Sequence, residues 1–240
     1  MSLRESLTEL AAGRAAVVVR PLGAGEAIEI AADHRFTAAS LIKLPILAAA
    51  LDSGLPFDER LPVRPAVPGS GVLAHLGDVA DMSVRDLLTL MIIVSDNTAT
   101  NVLIDRIGMG RVNAWCARHG LTATVLARRM MDTEARNRGV ENLISAADAA
   151  SVLCRLADSP FAVRALEAQQ FNDRLPRHLP PGFRLAHKTG ELRHVCHDAG
   201  IVYPPGGPPV VLAVLTEGST DGAGLIAECG RLVFSALGRP

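Results

Sequence analysis

The sequence predicts an α/β protein of the α+β type, with one antiparallel sheet, terminal helices beside it and an inserted all-α domain. Three observations lead to this prediction. Two strand-like runs lie near the start of the 240-residue chain, and three lie near its end. The region between them has a mostly helical pattern. No regular alternation of strands with crossover helices supports a parallel sheet.

The N-terminal segment predicts a helix followed by a hairpin. Residues 1–14, "MSLRESLTELAAGR", have the polar and apolar spacing of an amphipathic helix. The β-rich runs "AAVVVRPL" (15–22) and "AIEIAAD" (27–33) flank "GAGE", which is typical of a turn between two strands.

The middle of the chain predicts a series of helices. "LIKLPILAAALDSG" is an apolar helix with Pro45 in its first turn, where proline is tolerated. Capping-box patterns start two further helices, one at Ser83 with Asp86 and one at Ser145 with Asp148. "NTATNVLIDRIG" and "GRVNAWCARHG" end at glycine, a common helix stop.

The C-terminal segment predicts three successive strands and a last helix. The strands are "FRLAHKTGEL", "HDAGIVYP" and "PPVVLAVLTEG", with "YPPGGPP" as a turn, and the helix covers about 221–237. Residues 1–35 and 176–240 are therefore expected to form a discontinuous α/β domain. Residues 36–175 are expected to form the all-α domain, with a site at the interface.

The composition excludes several classes of function. With 49% hydrophobic residues, 20% charged residues and a net charge of −1, the chain is globular and has no basic stripe for nucleic acid. No run is long enough to span a bilayer, and no secretory signal is recognisable. We therefore expect a cytoplasmic protein, or a periplasmic or extracellular one if the N-terminus has been trimmed. The four cysteines form no CxxC pair, which favours buried thiols over a zinc site.

The first candidate motif is Ser40-Leu41-Ile42-Lys43. Side chains at i and i+3 share one helix face, and a buried lysine can be neutral and accept the proton of a serine nucleophile. A helix start also offers free backbone N–H groups to an oxyanion. The alternative is that Ser40 merely caps the helix.

The second motif is Ser95-Asp96-Asn97, between two apolar helices. Ser95 could relay a proton to a leaving group, and Asn97 could bind an amide through its donor and acceptor. The alternative is a helix junction in which Asp96 or Asn97 is the cap. We expect Asp96 to point away from the pocket and to brace the loop by hydrogen bonds.

The third motif is Lys188-Thr189-Gly190-Glu191, in a strand-like segment. Lysine and threonine can hold a carboxylate, and Gly190 allows close approach of the backbone to a ligand. The backbone N–H of Glu191 can serve an oxyanion. The alternative is an ordinary edge strand with a glycine bulge.

Together, the motifs S-x-x-K, S-D-N and K-T-G in this order resemble class A β-lactamases and penicillin-binding proteins. "GSGVL" (69–73), "MSVRDLLTLMIIVSDNTATNVLIDRIG" and "HDAGIVYPP" also look like family sequence. The resemblance implies the β-lactamase/DD-peptidase fold, made of an α/β domain and an inserted all-α domain.

The resemblance also implies roles for the motif residues. Ser40 would be acylated, Lys43 would help activate it, and Ser95 would pass a proton to the leaving nitrogen. Asn97 would bind the side-chain amide of the substrate. Lys188 and Thr189 would bind its carboxylate. The backbone N–H groups of Ser40 and Glu191 would form the oxyanion hole. The implied partner is a small β-lactam, ester or amide bound by a monomer, and no metal or organic cofactor is implied.

One departure concerns deacylation. The E-x-x-L-N pattern, whose glutamate aligns the deacylating water in class A enzymes, is absent from residues 126–148. The available carboxylates are Asp132, Glu134 and Glu141, each of which could instead be a surface charge or a cap. A Glu191 side chain facing the pocket would also repel anionic substrates.

The sequence therefore predicts a serine hydrolase that opens β-lactam amides through an acyl-enzyme on Ser40. A first alternative is a D-alanyl-D-alanine peptidase, transpeptidase or esterase on the same scaffold, with slow β-lactam turnover. A second is a non-catalytic β-lactam sensor, although such a receptor has no need of a proton-transfer pair.

Overall fold

The computed structural model describes residues 1–238, and its centre is a five-stranded sheet in the order β2-β1-β9-β8-β7. All four neighbouring pairs in this sheet are antiparallel. The described strands are β1 Ala15–Pro21, β2 Ile28–Ile30, β3 Phe36–Thr37, β4 Arg60–Pro62, β5 Asp81–Ser83, β6 Leu143–Ile144, β7 Arg184–Leu192, β8 Val195–Tyr203 and β9 Val210–Glu217.

The sheet combines both ends of the chain, and helices cover both of its faces. The described α-helices are α1 Leu3–Ala11, α2 Lys43–Asp52, α3 Val84–Ile93, α4 Asn97–Ile107, α5 Met109–Arg118, α6 Thr133–Asn137, α7 Ala146–Leu156, α8 Pro160–Glu167 and α9 Gly222–Leu237. Short 3₁₀ turns cover Ala39–Ile42, Leu73–His75 and Leu175–His178. The predicted α+β fold is confirmed.

Two hydrophobic cores form because successive strand residues point to opposite faces of the sheet. Val17 of β1 is paired with Val214 of β9, and both enter the core under α1 and α9. The next pair, Val18 and Ala213, enters the larger core, where α7 packs on the opposite face of the sheet. Both faces of the sheet are therefore shielded from solvent over its central strands, which explains why β9 is almost continuously apolar.

Helix α2 is the centre of the helical region. It contacts α4, α5 and α7, and its residues Lys43 to Ala50 are all buried. Lys43 is the one charged residue in this buried segment, and its contacts are described with the active site below. The residue boundaries of the two domains stay a prediction.

Some local predictions need correction. Ser83 and Ser145 cap α3 and α7 as expected, each accepting a hydrogen bond from the backbone N–H three residues on. The reciprocal half of the capping box is absent from both helices as described: the Asp86 carboxylate accepts from the Ser83 hydroxyl, and that of Asp148 accepts from residues 123 and 124. The sequence also did not predict the small pairs β3–β6 and β4–β5.

The described residues include no helix long and apolar enough to cross a membrane. All four cysteines are free: Cys116 and Cys229 are buried, while Cys154 and Cys196 are half-buried.

Candidate active site

The three motifs surround one cleft, and Ser40 lies where the two lobes of this cleft meet. The wider lobe is a cavity of about 230 Å³ that includes Asn97, Met130 and Leu192 in its lining. The second lobe, a cavity of about 220 Å³, is lined by Ser70, Ser95, Phe171, Arg174 and Thr189. Ser40, Ser70 and Glu191 line both cavities. We call them the acyl lobe and the polar lobe.

Ser40 lies in the 3₁₀ turn that leads into α2, directly beside β7. No described side chain caps this turn or the start of α2, so the interpretation of Ser40 as a helix cap is wrong. A Cβ atom on Gly190 would lie 3.3 Å from both the Ala38 carbonyl oxygen and the Leu41 backbone nitrogen. Glycine is therefore what allows the turn bearing Ser40 to pack on β7. The sequence predicted that Gly190 allows a ligand to come close to the backbone, whereas in the structure the close neighbour is the turn that carries Ser40.

Lys43 has no solvent exposure, and its amine touches both candidate serines. Its Nζ lies 3.2 Å from Ser40 Oγ, 2.9 Å from Ser95 Oγ and 2.7 Å from the Ser95 carbonyl oxygen. A fourth contact, at 2.9 Å, is with Asn97 Oδ1. Burial lowers the pKa of Lys43 well below its usual value, and the nearby charge of Lys188 lowers it further, while Asp96 opposes the shift.

The partners of Nζ are compatible with the neutral amine that the lowered pKa favours. The Ser95 carbonyl oxygen and Asn97 Oδ1 can only accept, so they take the two N–H groups of a neutral lysine. The lone pair that remains can accept a proton from the hydroxyl of Ser40 or Ser95. The amide orientation of Asn97 agrees, because its Nδ2 donates to the Pro68 carbonyl at 3.2 Å. The condition on which the base role of Lys43 depended, that its side chain be buried, is thus met.

Ser95 and Asp96 form a rigid corner between α3 and α4. Ser95 is buried and has a left-handed backbone with φ of +56°, a strained conformation for serine. Asp96 caps α4 by accepting from the Ala99 N–H, and its other oxygen accepts from the N–H groups of Val72 and Leu73. The junction interpretation and the catalytic one are therefore compatible, and the predicted bracing by Asp96 is confirmed.

The loop 67–73 lies against this corner and needs glycine at two positions. A Cβ atom on Gly71 would lie 2.2 Å from Asp96 Oδ2, and one on Gly69 would lie 2.6 Å from Asn97 Nδ2. Both glycines also have positive φ. They let the loop pass close enough to hold Asp96 and Asn97 in place.

Lys188 and Thr189 lie on β7, the outer strand of the described five-stranded sheet. The pairing of β7 with β8 is continuous through Gly190 and His197, so the alternative of a glycine bulge is wrong. Lys188 is fully buried and donates to the Thr189 carbonyl oxygen at 2.9 Å. Burial lowers its pKa to about 7, with Arg174 lowering it too and Asp198 opposing. Thr189 lines the polar lobe, as a carboxylate-binding residue would.

Arg174 is a site residue that the sequence did not predict. It is almost fully buried, and its Nη1 donates to the carbonyl oxygens of Gly190 and His197 at 3.2 and 3.1 Å. The Nε atom has no hydrogen-bond partner among the described residues. The stretch "NDRLP" carries no motif, so nothing in the sequence distinguished this arginine from a surface charge.

The side chain of Glu191 faces the cleft and pairs with Arg174. Its Oε2 accepts from Arg174 Nη2, and the side chain is 71% exposed. The predicted repulsion of anionic substrates depended on Glu191 facing the pocket, and its place in the lining of both lobes meets that condition.

None of the three candidate deacylation carboxylates lies free in the described cleft. Asp132 lines the acyl lobe but caps α6, accepting from the Ala135 N–H at 2.8 Å. Glu141 lines it too, but pairs with Arg128 at 2.8 Å and Arg136 at 3.3 Å. Glu134 is exposed, paired with a neighbouring arginine, and absent from the lining of either lobe. The interpretation of these residues as caps and surface charges therefore fits better.

Residues 1–238 contain no cluster of three or more His, Cys, Asp or Glu side chains that could hold a metal ion.

Comparison with known proteins agrees with the fold and the motifs. The model of the "Beta-lactamase enzyme family" matches residues 2–237. A β-lactamase of Streptomyces fradiae is 31% identical over 242 residues, covering 90% of this chain and 78% of its own length.

Two solved structures cover nearly the whole chain. The β-lactamase of Sphaerobacter thermophilus has a TM-score of 0.85 and 32% identity, covering 99% of this chain and 98% of its own. A mutant of PBP-A, solved as an acyl-enzyme complex with penicillin G, has a TM-score of 0.87 and 30% identity, covering 98% and 95%.

Proposed function

The chain belongs to the beta-lactamase enzyme family, and we propose that it opens β-lactam amides through an acyl-enzyme on Ser40. The observation that carries this proposal is the buried Lys43 amine within hydrogen-bond distance of two serine hydroxyls. A lysine that served only to hold an ion pair would face a carboxylate. This one faces hydroxyl, carbonyl and amide oxygens, which is the environment of a proton acceptor.

Acylation begins when neutral Lys43 takes the Ser40 proton. The Ser40 oxygen then forms a bond with the lactam carbonyl carbon. The backbone N–H groups of Ser40 and Glu191 are the proposed donors to the oxyanion. As the C–N bond breaks, the proton on Lys43 passes through the Ser95 hydroxyl to the leaving nitrogen, which restores the neutral lysine. The 2.9 Å separation of Nζ and Ser95 Oγ allows the first transfer of this relay, from Lys43 to Ser95, along one hydrogen bond, while the Ser95 hydroxyl gives its own proton to the nitrogen.

The two lobes assign the two ends of the substrate. The polar lobe, with Thr189 and Arg174, suits the carboxylate side of a β-lactam. The acyl lobe, with Met130, Met131 and Leu192, suits an apolar acyl side chain, and Asn97 at its edge suits the side-chain amide.

Turnover of a chromogenic cephalosporin tests this function. The wild-type chain should open the lactam ring, and Ser40→Ala should abolish the reaction while leaving the thermal unfolding temperature nearly unchanged. Equal rates for the two proteins would mean that Ser40 is not the nucleophile.

A second candidate function is a penicillin-binding-type peptidase or an esterase with slow β-lactam release. The observation that favours it is the engagement of Asp132 and Glu141 as a cap and an ion-paired group, which leaves neither as a ready base for water. A long-lived acyl-enzyme would follow, because efficient hydrolysis needs a placed general base.

The lifetime of the acyl-enzyme separates the two functions. If neither carboxylate is the base, Asp132→Asn and Glu141→Gln should release bound penicillin within about twofold of the wild-type rate. The matched control is Glu134→Gln, whose carboxylate is also ion-paired but lies outside the cleft lining. If either variant slows release by about 10²-fold or more, that carboxylate is the general base and fast β-lactam hydrolysis is favoured.

A further inference from the structure

The guanidinium of Arg174 is the strongest fixed positive charge in the lining of the polar lobe. Two backbone carbonyls, those of Gly190 and His197, hold its Nη1 from behind. Lys188 is absent from the lining of this lobe, because its amine is buried against the Thr189 carbonyl. A substrate carboxylate entering the lobe therefore has Arg174 as its main ionic partner and the Thr189 hydroxyl as a neutral one.

The Nη2 group of Arg174 already donates a hydrogen bond to a carboxylate. That carboxylate belongs to Glu191, which follows Gly190 on β7 and lines the same lobe. Because arginine is always charged and Glu191 is largely exposed, the pair is an ordinary ion pair whose carboxylate can swing away. The Glu191 side chain stands where an incoming anion would bind.

The geometry points to Glu191 as a specificity-determining residue that competes with the substrate's carboxylate for Arg174. Resting on the proposed function, this inference names the favoured substrate class: acyl donors without a free carboxylate, such as lactam esters and neutral esters or amides. An anionic substrate must displace Glu191 and then bind beside a second negative charge. A neutral one leaves the ion pair intact.

Among the charges around the lobe, Lys188 favours an anion below its pKa of about 7, but its amine is buried outside the lining, so Arg174 is the cation that an incoming carboxylate can contact. Asp198 accepts hydrogen bonds from the Leu175 N–H and faces His187, so its negative charge also lies behind the lobe. Lys43 faces oxygen acceptors that a neutral amine satisfies. Pairing with Glu191 thus offsets the positive charge of Arg174 within the lobe lining, whereas a free Arg174 would present that charge to the substrate.

Equilibrium binding to chains that cannot be acylated tests the inference apart from the chemistry. Penicillin G and its methyl ester would be titrated into Ser40→Ala and into the double variant Ser40→Ala with Glu191→Gln. The ratio of the ester Kd to the penicillin Kd should rise about tenfold or more in the double variant, because the neutral amide no longer competes for the guanidinium. Glu191→Ser in the same background gives a second variant should the glutamine disturb folding.

The control is Glu26→Gln, since Glu26 is also an exposed glutamate paired with an arginine, here Arg4 of α1, but is absent from the lining of both lobes. It should leave the Kd ratio unchanged. An unchanged ratio in both Glu191 variants, or no measurable binding of penicillin to either, overturns the inference. Failure of the wild-type chain to be acylated at Ser40 would instead overturn the proposed function, and the binding ratio would still decide the role of Glu191.

Discussion

The Lys43 amine lies 2.9 Å from the Ser95 hydroxyl oxygen and 2.7 Å from the carbonyl oxygen of the same residue. The backbone of Ser95 is left-handed, which lets one residue present both of its oxygens to one amine. Such strain persists only where the surrounding structure holds it, and here Asp96 and the loop 67–73 do so. The Lys43–Ser95 contact that the proposed proton relay needs is therefore present before any substrate arrives.

Replacement of Lys43 by arginine should abolish activation of Ser40. Arginine keeps its proton at all accessible pH values, so it can donate to Ser95 and Asn97 but cannot accept the Ser40 proton. We expect Lys43→Arg to slow acylation by about 10²- to 10⁴-fold, the usual contribution of a general base. Stopped-flow acylation by a chromogenic cephalosporin measures this, with circular dichroism to verify folding. A near-wild-type rate would show that another group is the base.

The rate with a carboxylate substrate, relative to that with its neutral ester, should fall as the pH rises through about 7, because the buried Lys188 amine lies against Thr189, which lines the polar lobe. Burial lowers the pKa of Lys188 to about 7, so its ammonium is present below that pH and lost above it. The ratio of kcat/KM for penicillin G to that for its methyl ester should drop about tenfold between pH 6 and pH 8.5, as expected for loss of about 1.4 kcal/mol of ionic attraction. Titration of Lys43 affects both substrates and cancels in the ratio. A flat ratio would exclude Lys188 from carboxylate recognition.

Asp96→Ala should destabilise the fold. The substitution leaves the N–H groups of Val72, Leu73 and Ala99 without their acceptor, and each buried unsatisfied donor costs about 1–3 kcal/mol. We expect the free energy of unfolding in urea to fall by about 3 kcal/mol or more. The control Asp86→Ala, on the exposed face of α3, should change it by about 0.5 kcal/mol. Wild-type stability of Asp96→Ala would show that the bracing contributes nothing.

Gly190→Ala should impair acylation more than it impairs folding. The added methyl group would press on Ala38 and Leu41, the two sides of the turn that carries Ser40. The neighbours would have to shift by a few tenths of an ångström. Since a displacement of about 1 Å at a reacting atom can cost about 10²-fold in rate, the acylation rate constant should fall by about 3- to 10-fold. Gly77→Ala is the matched control, because a Cβ atom added at Gly77 would meet no atom of a non-adjacent residue within 4 Å. Equal acylation rates for both variants would contradict the packing role of Gly190.

The sequence was sufficient for the parts of the site that short-range patterns encode. Ser40 and Lys43 are three residues apart, and Ser95 and Asn97 flank a helix cap, so their relative placement follows from local helical geometry. The strands at the two chain ends predicted the sheet, because apolar runs bounded by turn residues are a local signal as well.

The rest of the site depends on contacts between distant segments. Arg174 reaches Glu191 only because the chain before β7 folds back against the end of that strand. The pairing of Glu141 with Arg128 likewise depends on the conformation of the loop 126–148, which brings these two residues together. No periodicity or spacing records such contacts, so the sequence left open both the deacylation carboxylate and the effect of Glu191.

The most direct test of the central claim is intact-protein mass spectrometry after brief exposure to penicillin G, followed by peptide mapping. We predict a mass increase equal to one whole penicillin molecule, located on the peptide that contains Ser40 and absent from Ser40→Ala. An adduct on any other residue would contradict the account, and so would folded wild-type protein that shows neither an adduct nor any opening of the penicillin ring.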